Sequence, residues 1–265
     1  MTTMTTAPNR VSPALAVQHG LSLAWRGILK IKKNPEQLLD VTLMPIIFLV
    51  MFVYLFGGAL AGNTGAYLQM VVPGVMAMNI LQASMTIGVQ LNTDMSKGVF
   101  DRFRSMPIAR SAPLVGAVLA DVVRYLVCMV VLFVVAMLMG YRLGTNPGNL
   151  LIAVALAVAF GLCFCWIAVF VGTLMKSPGA VQGLMFVFIM PLTFGSNVFV
   201  GTDKMPGWLK AWADINPVSL LTDTLRGLMN GGMVTSSLLG TLAWMAGAVA
   251  VFFPLAMMSY RKKAS

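Results

Sequence analysis

The chain has 265 residues, of which 58% are hydrophobic and only 10% charged, with a mean hydropathy of +0.86. So few charges cannot cover a water-soluble globule, and the sequence predicts an integral membrane protein. The net charge of +10 would suit a nucleic-acid partner, but the basic residues ring the ends of apolar runs instead of lining one groove, which sets that class aside.

The opening MTTMTTAPNR is polar with no apolar core behind it, so no cleavable signal peptide is expected. From Ala14 to Lys33, Val17, Leu21, Ala24, Ile28 and Ile31 recur at helical spacing, with His19, Ser22, Arg26, Lys30 and Lys33 opposite. Residues 1–34 are therefore read as a cytoplasmic N-terminus with a helix lying on the membrane, His19 on its wet face, and 35–265 as the transmembrane domain. Asn34-Pro35 breaks the first helix, and Glu36 and Asp40 sit where the next helix dipole favours acids.

A spanning helix needs roughly 20 predominantly apolar residues, and six runs qualify: about 41–61, 67–92, 113–139, 149–175, 180–201 and 236–259. They are apolar all round and lack the alternation of a membrane β-barrel, so the fold class is all-α, a polytopic bundle. Span one carries Pro45 and ends at Gly57-Gly58. In span two, Asn79, Gln82, Thr86 and Gln90 form one polar stripe pointing inward, either as hydrogen-bonding glue between helices or as the wall of a pathway.

Between spans two and three lies a cationic island, 93–112, in which Val99, Phe100, Phe103 and Met106 share a face and Lys97, Asp101, Arg102 and Arg104 project elsewhere. Pro107 ends this short interfacial helix, Arg110 follows, and Pro113 opens the next span. Span three holds Asp121 and Arg124 one turn apart, expected to pair with each other or with the island. Cys128, Cys163 and Cys165 lie within predicted spans and read as small packing residues, not as a disulfide or metal site.

A tight turn, Lys176-Ser177-Pro178-Gly179, leads into span five, where Pro191 is followed by Thr193, Ser196 and Asn197 in a stretch expected to unwind. In the outer segment 201–235, Trp208, Leu209, Trp212 and Ile215 form an apolar face, with Lys210 and Asp214 expected to pair on the other. Asn216 is a predicted N-cap with Pro217 at the first helical position; Val218, Leu221, Leu225 and Leu228 continue that helix and Gly231-Gly232 stop it. Trp208, Trp212, Asp223 and Arg226 are the candidate residues of an outer lid, the alternative for these two helices being a plug for lipid packing.

Charge sets the orientation. Arg10, Arg26, Lys30, Lys32, Lys33, Lys97, Arg102, Arg104, Arg110, Lys176, Arg261, Lys262 and Lys263 fall on one side, against Arg142, Lys204, Lys210 and Arg226 on the other. The first side is predicted cytoplasmic, with both termini inside the cell membrane. No GxxxxGK(S/T) phosphate loop occurs, no His/Cys/carboxylate cluster has ligand spacing, and no nucleophile has an evident base. The chain is thus expected to have no catalytic or metal site and no means of hydrolysing ATP by itself.

The island, GVFDRFRSMPIAR at 98–110 followed by LADVVR at 119–124, resembles the cytoplasmic coupling segment of ABC-2 permease subunits, the daunorubicin/doxorubicin-resistance type above all. KNPEQLL at 33–39, YLQMVVPG at 67–74 and GSNVFVGTDKMPGWLKAWADINPVSLLTDTLRGL at 195–228 extend the resemblance over nearly the whole chain. It implies six spans, an N-terminal connecting helix, re-entrant outer helices before span six, and a coupling helix seated in a separate ATP-binding cassette subunit. That helix would use Lys97, Val99, Phe100, Asp101, Arg102, Phe103, Arg104, Met106, Pro107 and Arg110. It also implies a permease dimer, homomeric or paired with a similar permease, ATP and Mg held by two partner ATPases, spans two and five lining the pathway, and export. From the residues, an amphipathic drug or lipid-like substrate is expected. The alternatives are a proton-coupled secondary multidrug carrier, for which Asp121 is the candidate acid, and a non-transporting membrane anchor.

Overall fold

A computed structural model describes residues 35–98 and 112–264. The interfacial helix expected at 14–33 and the island residues Val99, Phe100, Asp101, Arg102, Phe103, Arg104, Met106, Pro107 and Arg110 lie outside the described residues. Regular structure in the described residues is helical throughout: α1 (Pro35–Ala61), α2 (Thr64–Ser96), α3 (Ala112–Leu138), α4 (Pro147–Leu174), α5 (Pro178–Phe194), α6 (Gly207–Ile215), α7 (Pro217–Asn230) and α8 (Thr235–Ala264), with a 3-10 turn at Thr202–Lys204.

Among the described residues four helical stretches are long and apolar enough to cross a membrane: Thr64–Ser96, Gly116–Leu138, Pro147–Leu174 and Thr235–Tyr260. The apolar stretches Leu43–Ala59 and Pro178–Phe194 are shorter, so the six expected runs are all helical but two fall below that length. Two boundaries moved. Gly57-Gly58 does not stop α1, which runs on to Ala61, and only Gly62 and Asn63 separate it from α2. There the absence of a side chain on Gly57 lets the two helices close: a Cβ would stand 3.0 Å from Thr64 Cα. The run predicted to 201 ends instead at Phe194, with the N–H of Gly195 capping back onto the Pro191 carbonyl at 2.9 Å.

Local chemistry explains the starts. Asn63, Asn146 and Ser177 accept from Ala66 N (2.6 Å), Asn149 N (2.9 Å) and Ala180 N (3.3 Å), covering N–H groups that the first helical turn leaves open. Pro147, Pro178 and Pro217 each open a helix, where the missing N–H costs nothing. Asn216 caps α7 through Val218 N at 2.9 Å, and Gly231, with φ of +90°, ends it, both as expected.

α2 is the buried axis of the bundle and packs against α1, α3, α4, α5 and α7. Lipid is as apolar as a helix side chain, so helices associate through close backbone approach and interhelical hydrogen bonds. Both devices are present. A Cβ on Gly88 would collide with the Ala168 carbonyl, and one on Gly172 would lie 2.5 Å from Gly88 O, so α2 and α4 touch backbone to backbone. Nearby, Asn92 Nδ2 donates to Gly172 O (2.9 Å) and Met175 O (2.8 Å), and Thr173 Oγ1 donates to Ser259 Oγ of α8 at 2.9 Å. α8 completes the contact to α4 with Trp166 edge-on to Phe253, ring centroids 4.6 Å apart.

Candidate functional site

A cleft of about 710 Å³ opens between α2 and α5, flanked by α1 through Met44 and Phe48 and by α3 through Arg124. α2 supplies Gln82, Thr86 and Gln90, and α5 supplies Gln182, Phe186 and Thr193. Gln182 and Thr193 are eleven residues apart, three helical turns, hence on one face. Met78, Met85, Met185, Ile189, Met190 and Phe194 complete an apolar lining, and Asp94 and Lys97 stand at the end where α2 leads toward the island.

Of the predicted stripe, Gln82, Thr86 and Gln90 thus face the cleft, as does Thr193. None of these four side chains forms a hydrogen bond to another element among the described residues; Thr86 Oγ1 turns back to Gln82 O at 3.4 Å within its own helix. Asn79 shares their face of α2 but is sealed off at 1% exposure, with neither amide atom partnered among the described residues. Ser196 and Asn197 lie away from the cleft and are also buried. Ser196 Oγ donates to Thr193 O at 2.5 Å, while Asn197 is drawn to α7.

Asp121 and Arg124 pair with each other at 2.8 Å, both nearly fully buried, and Arg124 also donates to Ala83 O of α2 at 3.1 Å. An acid held beside a guanidinium one turn away is poorly placed to carry protons as an independent relay. Arg124 and Gln182 were not singled out from the sequence as cleft residues. The signal for Gln182 was present, a lone amide in an apolar run on the face of Thr193.

The outer end is a second polar centre. Arg226 donates through Nε to Met70 O (2.9 Å) and through its terminal nitrogens to Asn197 O (2.6 Å), Val198 O (3.3 Å) and Asp223 Oδ1 (3.2 Å). Asp223 Oδ1 also accepts from Asn197 Nδ2 at 2.7 Å. Burial lowers the Arg226 pKa from its ordinary value, opposed by the Asp223 carboxylate. Beside it, Asn230 bridges Gln69 O (2.6 Å) and the Tyr141 hydroxyl (2.5 Å), and burial pushes that phenol up to about 12. α7 is therefore wedged inward, with Leu221, Leu225 and Met229 fully buried. α6 is the opposite: Trp208 and Trp212 are 75% and 40% exposed. Lys210 and Asp214, expected to pair, form no ion pair; both are exposed, where such a pair gains little.

The ABC-2 type transporter family matches this chain over residues 19–230. The daunorubicin resistance ABC transporter permease protein DrrB1 of Streptomyces coeruleorubidus is 40% identical over 261 residues, covering 98% of this chain and 92% of that protein. The doxorubicin resistance ABC transporter permease protein DrrB of Mycobacterium tuberculosis (strain ATCC 25618 / H37Rv) is 27% identical over 221 residues, covering 78% of this chain and 76% of its own length. Similarity running through nearly the full length, on a multi-pass helical fold, settles the class: the chain belongs to the ABC-2 type transporter family and is a membrane permease subunit of an ATP-binding cassette exporter, working with an ATP-binding partner subunit.

Proposed function

We propose that the α2–α5 cleft is the wall of the export pathway and that it takes an amphipathic, hydrogen-bonding molecule. One observation carries this reading. Among the described residues Gln82, Thr86 and Gln90 make no hydrogen bonds to other helices and stand partly exposed on the cleft, whereas Asn92, which serves as interhelical glue, spends both amide protons on carbonyls at the end of α4. Amides and hydroxyls beside methionine and phenylalanine offer polar anchors on an adaptable apolar wall. The resistance relatives named for daunorubicin and doxorubicin point to a polar aromatic drug, and a lipid-like amphiphile has the same chemistry.

Around this pathway the subunit has six spans, α6 and α7 forming the re-entrant outer lid with Trp208 and Trp212 at headgroup depth, and both termini in the cytoplasm. Two permeases, identical or similar, face each other across the cleft. ATP and Mg are held by the partner ATPases, whose closure moves the island as a rigid body. Val99, Phe100, Phe103 and Met106 anchor it, and Lys97, Asp101, Arg102, Arg104 and Arg110 supply polar contacts.

The test is ATP-driven daunorubicin transport by the permease co-reconstituted with its ATPase in proteoliposomes. Gln82→Leu combined with Gln90→Leu removes two polar anchors of about 1 kcal/mol each, and transport falls about thirtyfold while the ATPase stays bound. Wild-type transport by that variant would overturn the cleft as the pathway.

A further inference from the structure

α5 is attached to the rest of the bundle in an uneven way. Along residues 178–191 no hydrogen bond reaches another element among the described residues, and only Val181 and Met185 of that shaft are buried. Its ends are held tightly. At the inner end, Asn92, 3% exposed, spends both protons of its amide on Gly172 O and Met175 O, the carbonyls just before the turn into α5. This contact sits one helical turn from the backbone crossing of Gly88 with Gly172, so the inner ends of α2 and α4 form one unit from which α5 departs.

At the outer end the chain leaves α5 as an unwound stretch whose carbonyls have no helix to satisfy them. Arg226 covers Asn197 O and Val198 O and, with the same guanidinium, Met70 O of α2. Tyr67 of α2 adds a bond to Phe199 O at 2.9 Å, and Asn216 Nδ2 takes Leu192 O at 2.9 Å. A Cβ on Gly74 would stand 2.8 Å from Val198 O, so the stretch lies directly on α2. The inner approach to α5 is thus fixed where α2 holds the end of α4, and the stretch that follows α5 is held to α2 through backbone carbonyls, while the shaft between them makes no hydrogen bond to another element among the described residues.

We propose that Asn92, by fixing to α2 the end of α4 from which α5 departs, and Arg226, by holding to α2 the stretch that follows α5, are positioning residues that set the width of the cleft at each end. The inference rests on α5 being a pathway wall, and it assigns the control of that wall to two residues that do not line it together. A planar guanidinium suits the outer pin because it presents several donors in fixed directions to carbonyls on two separate segments. The shaft, held only by van der Waals contact, is the part free to shift between the pins.

The experiment uses the permease assembled with its ATPase in lipid, with Cys128, Cys163 and Cys165 replaced by alanine, and nitroxide labels on cysteines placed at exposed positions. One pair, Ala66→Cys with Phe194→Cys, reads the outer end; another, Ser96→Cys with Ala180→Cys, reads the inner end. Arg226→Gln broadens the outer distance distribution about twofold and leaves the inner one unchanged, and Asn92→Leu does the reverse, as expected when one local fastening of a packed element is released. A merely structural loss would disturb both ends alike. Distributions of wild-type width in both variants, or equal broadening at both ends, would overturn the pins. Should Arg226→Gln fail to assemble, Arg226→Lys carries the test, because a single ammonium nitrogen lacks the separated, fixed donors with which Nε and a terminal nitrogen of the guanidinium reach two segments, and the same outer broadening is expected. The pathway is read separately, by whether daunorubicin narrows the unmutated distributions; if it does not, the pathway assignment suffers and the pins do not.

Discussion

Glycine 172 states the packing problem of this bundle at its smallest scale. Its missing Cβ is what allows the carbonyl of Gly88 to approach, and no side-chain rearrangement can make room, since the obstacle is backbone. Gly172→Ala therefore forces α4 away from α2 and costs about 1–3 kcal/mol, read as a lower unfolding temperature in detergent, whereas Gly183→Ala, with open space around it, leaves that temperature unchanged. The buried pair gives a second residue-level expectation. Asp121→Leu or Arg124→Met alone strands a buried charge and destabilises by about 3–5 kcal/mol, while the double substitution recovers most of the loss. The double variant, if it retains ATP-driven transport, also removes the last support for a proton-coupled carrier; transport lost only with Asp121 would revive it.

At the scale of elements, what could be read from the sequence and what could not divide along a physical line. Caps and breaks are local, so Asn216-Pro217 and the stop at Gly231 were legible where they stand. The inward stripe of α2 was legible from spacing, though spacing could not say that Asn79 is sealed while Gln82 faces open space, because that depends on what covers the face. Arg226 was assigned to a lid together with the rest of the outer segment. Its actual partners, Met70 O and Asn197 O, lie 156 and 29 residues away and are carbonyls present at every position, so no residue pattern marks them. The available clue was the unwound stretch after Pro191, which had to find donors somewhere. Asn216 acts both as the cap of α7 and, through Nδ2, as a tie to Leu192 O, whereas Asn146 caps α4 alone. Asn216→Ala is accordingly expected to cost more than the roughly 1 kcal/mol of a simple cap, and measurably more than Asn146→Ala, in paired thermal unfolding of the two variants.

Taken whole, the described residues form an α2–α4–α8 body, packed through α4, with a cleft on one side and α5 strung along it. Composition was enough to predict a helical membrane protein, and the order of motifs was enough for the family, because both are properties of the chain as a string. The cleft is not, since it exists only where α1, α2, α3 and α5 converge from distant parts of the sequence. Its assignment as the pathway is tested most directly by placing a photoreactive benzoylphenylalanine at Phe186, on the cleft wall, and at Leu151, 71% exposed on the outer surface of α4, in the assembled transporter. Irradiation with radiolabelled daunorubicin should label the Phe186 variant at least about tenfold more than the Leu151 variant, given specific binding of even 1.4 kcal/mol over partition into lipid, and trapping the ATP-bound state should abolish the difference. Equal labelling at the two positions would mean that the drug meets this subunit only as it meets the bilayer, and the cleft would not be its path.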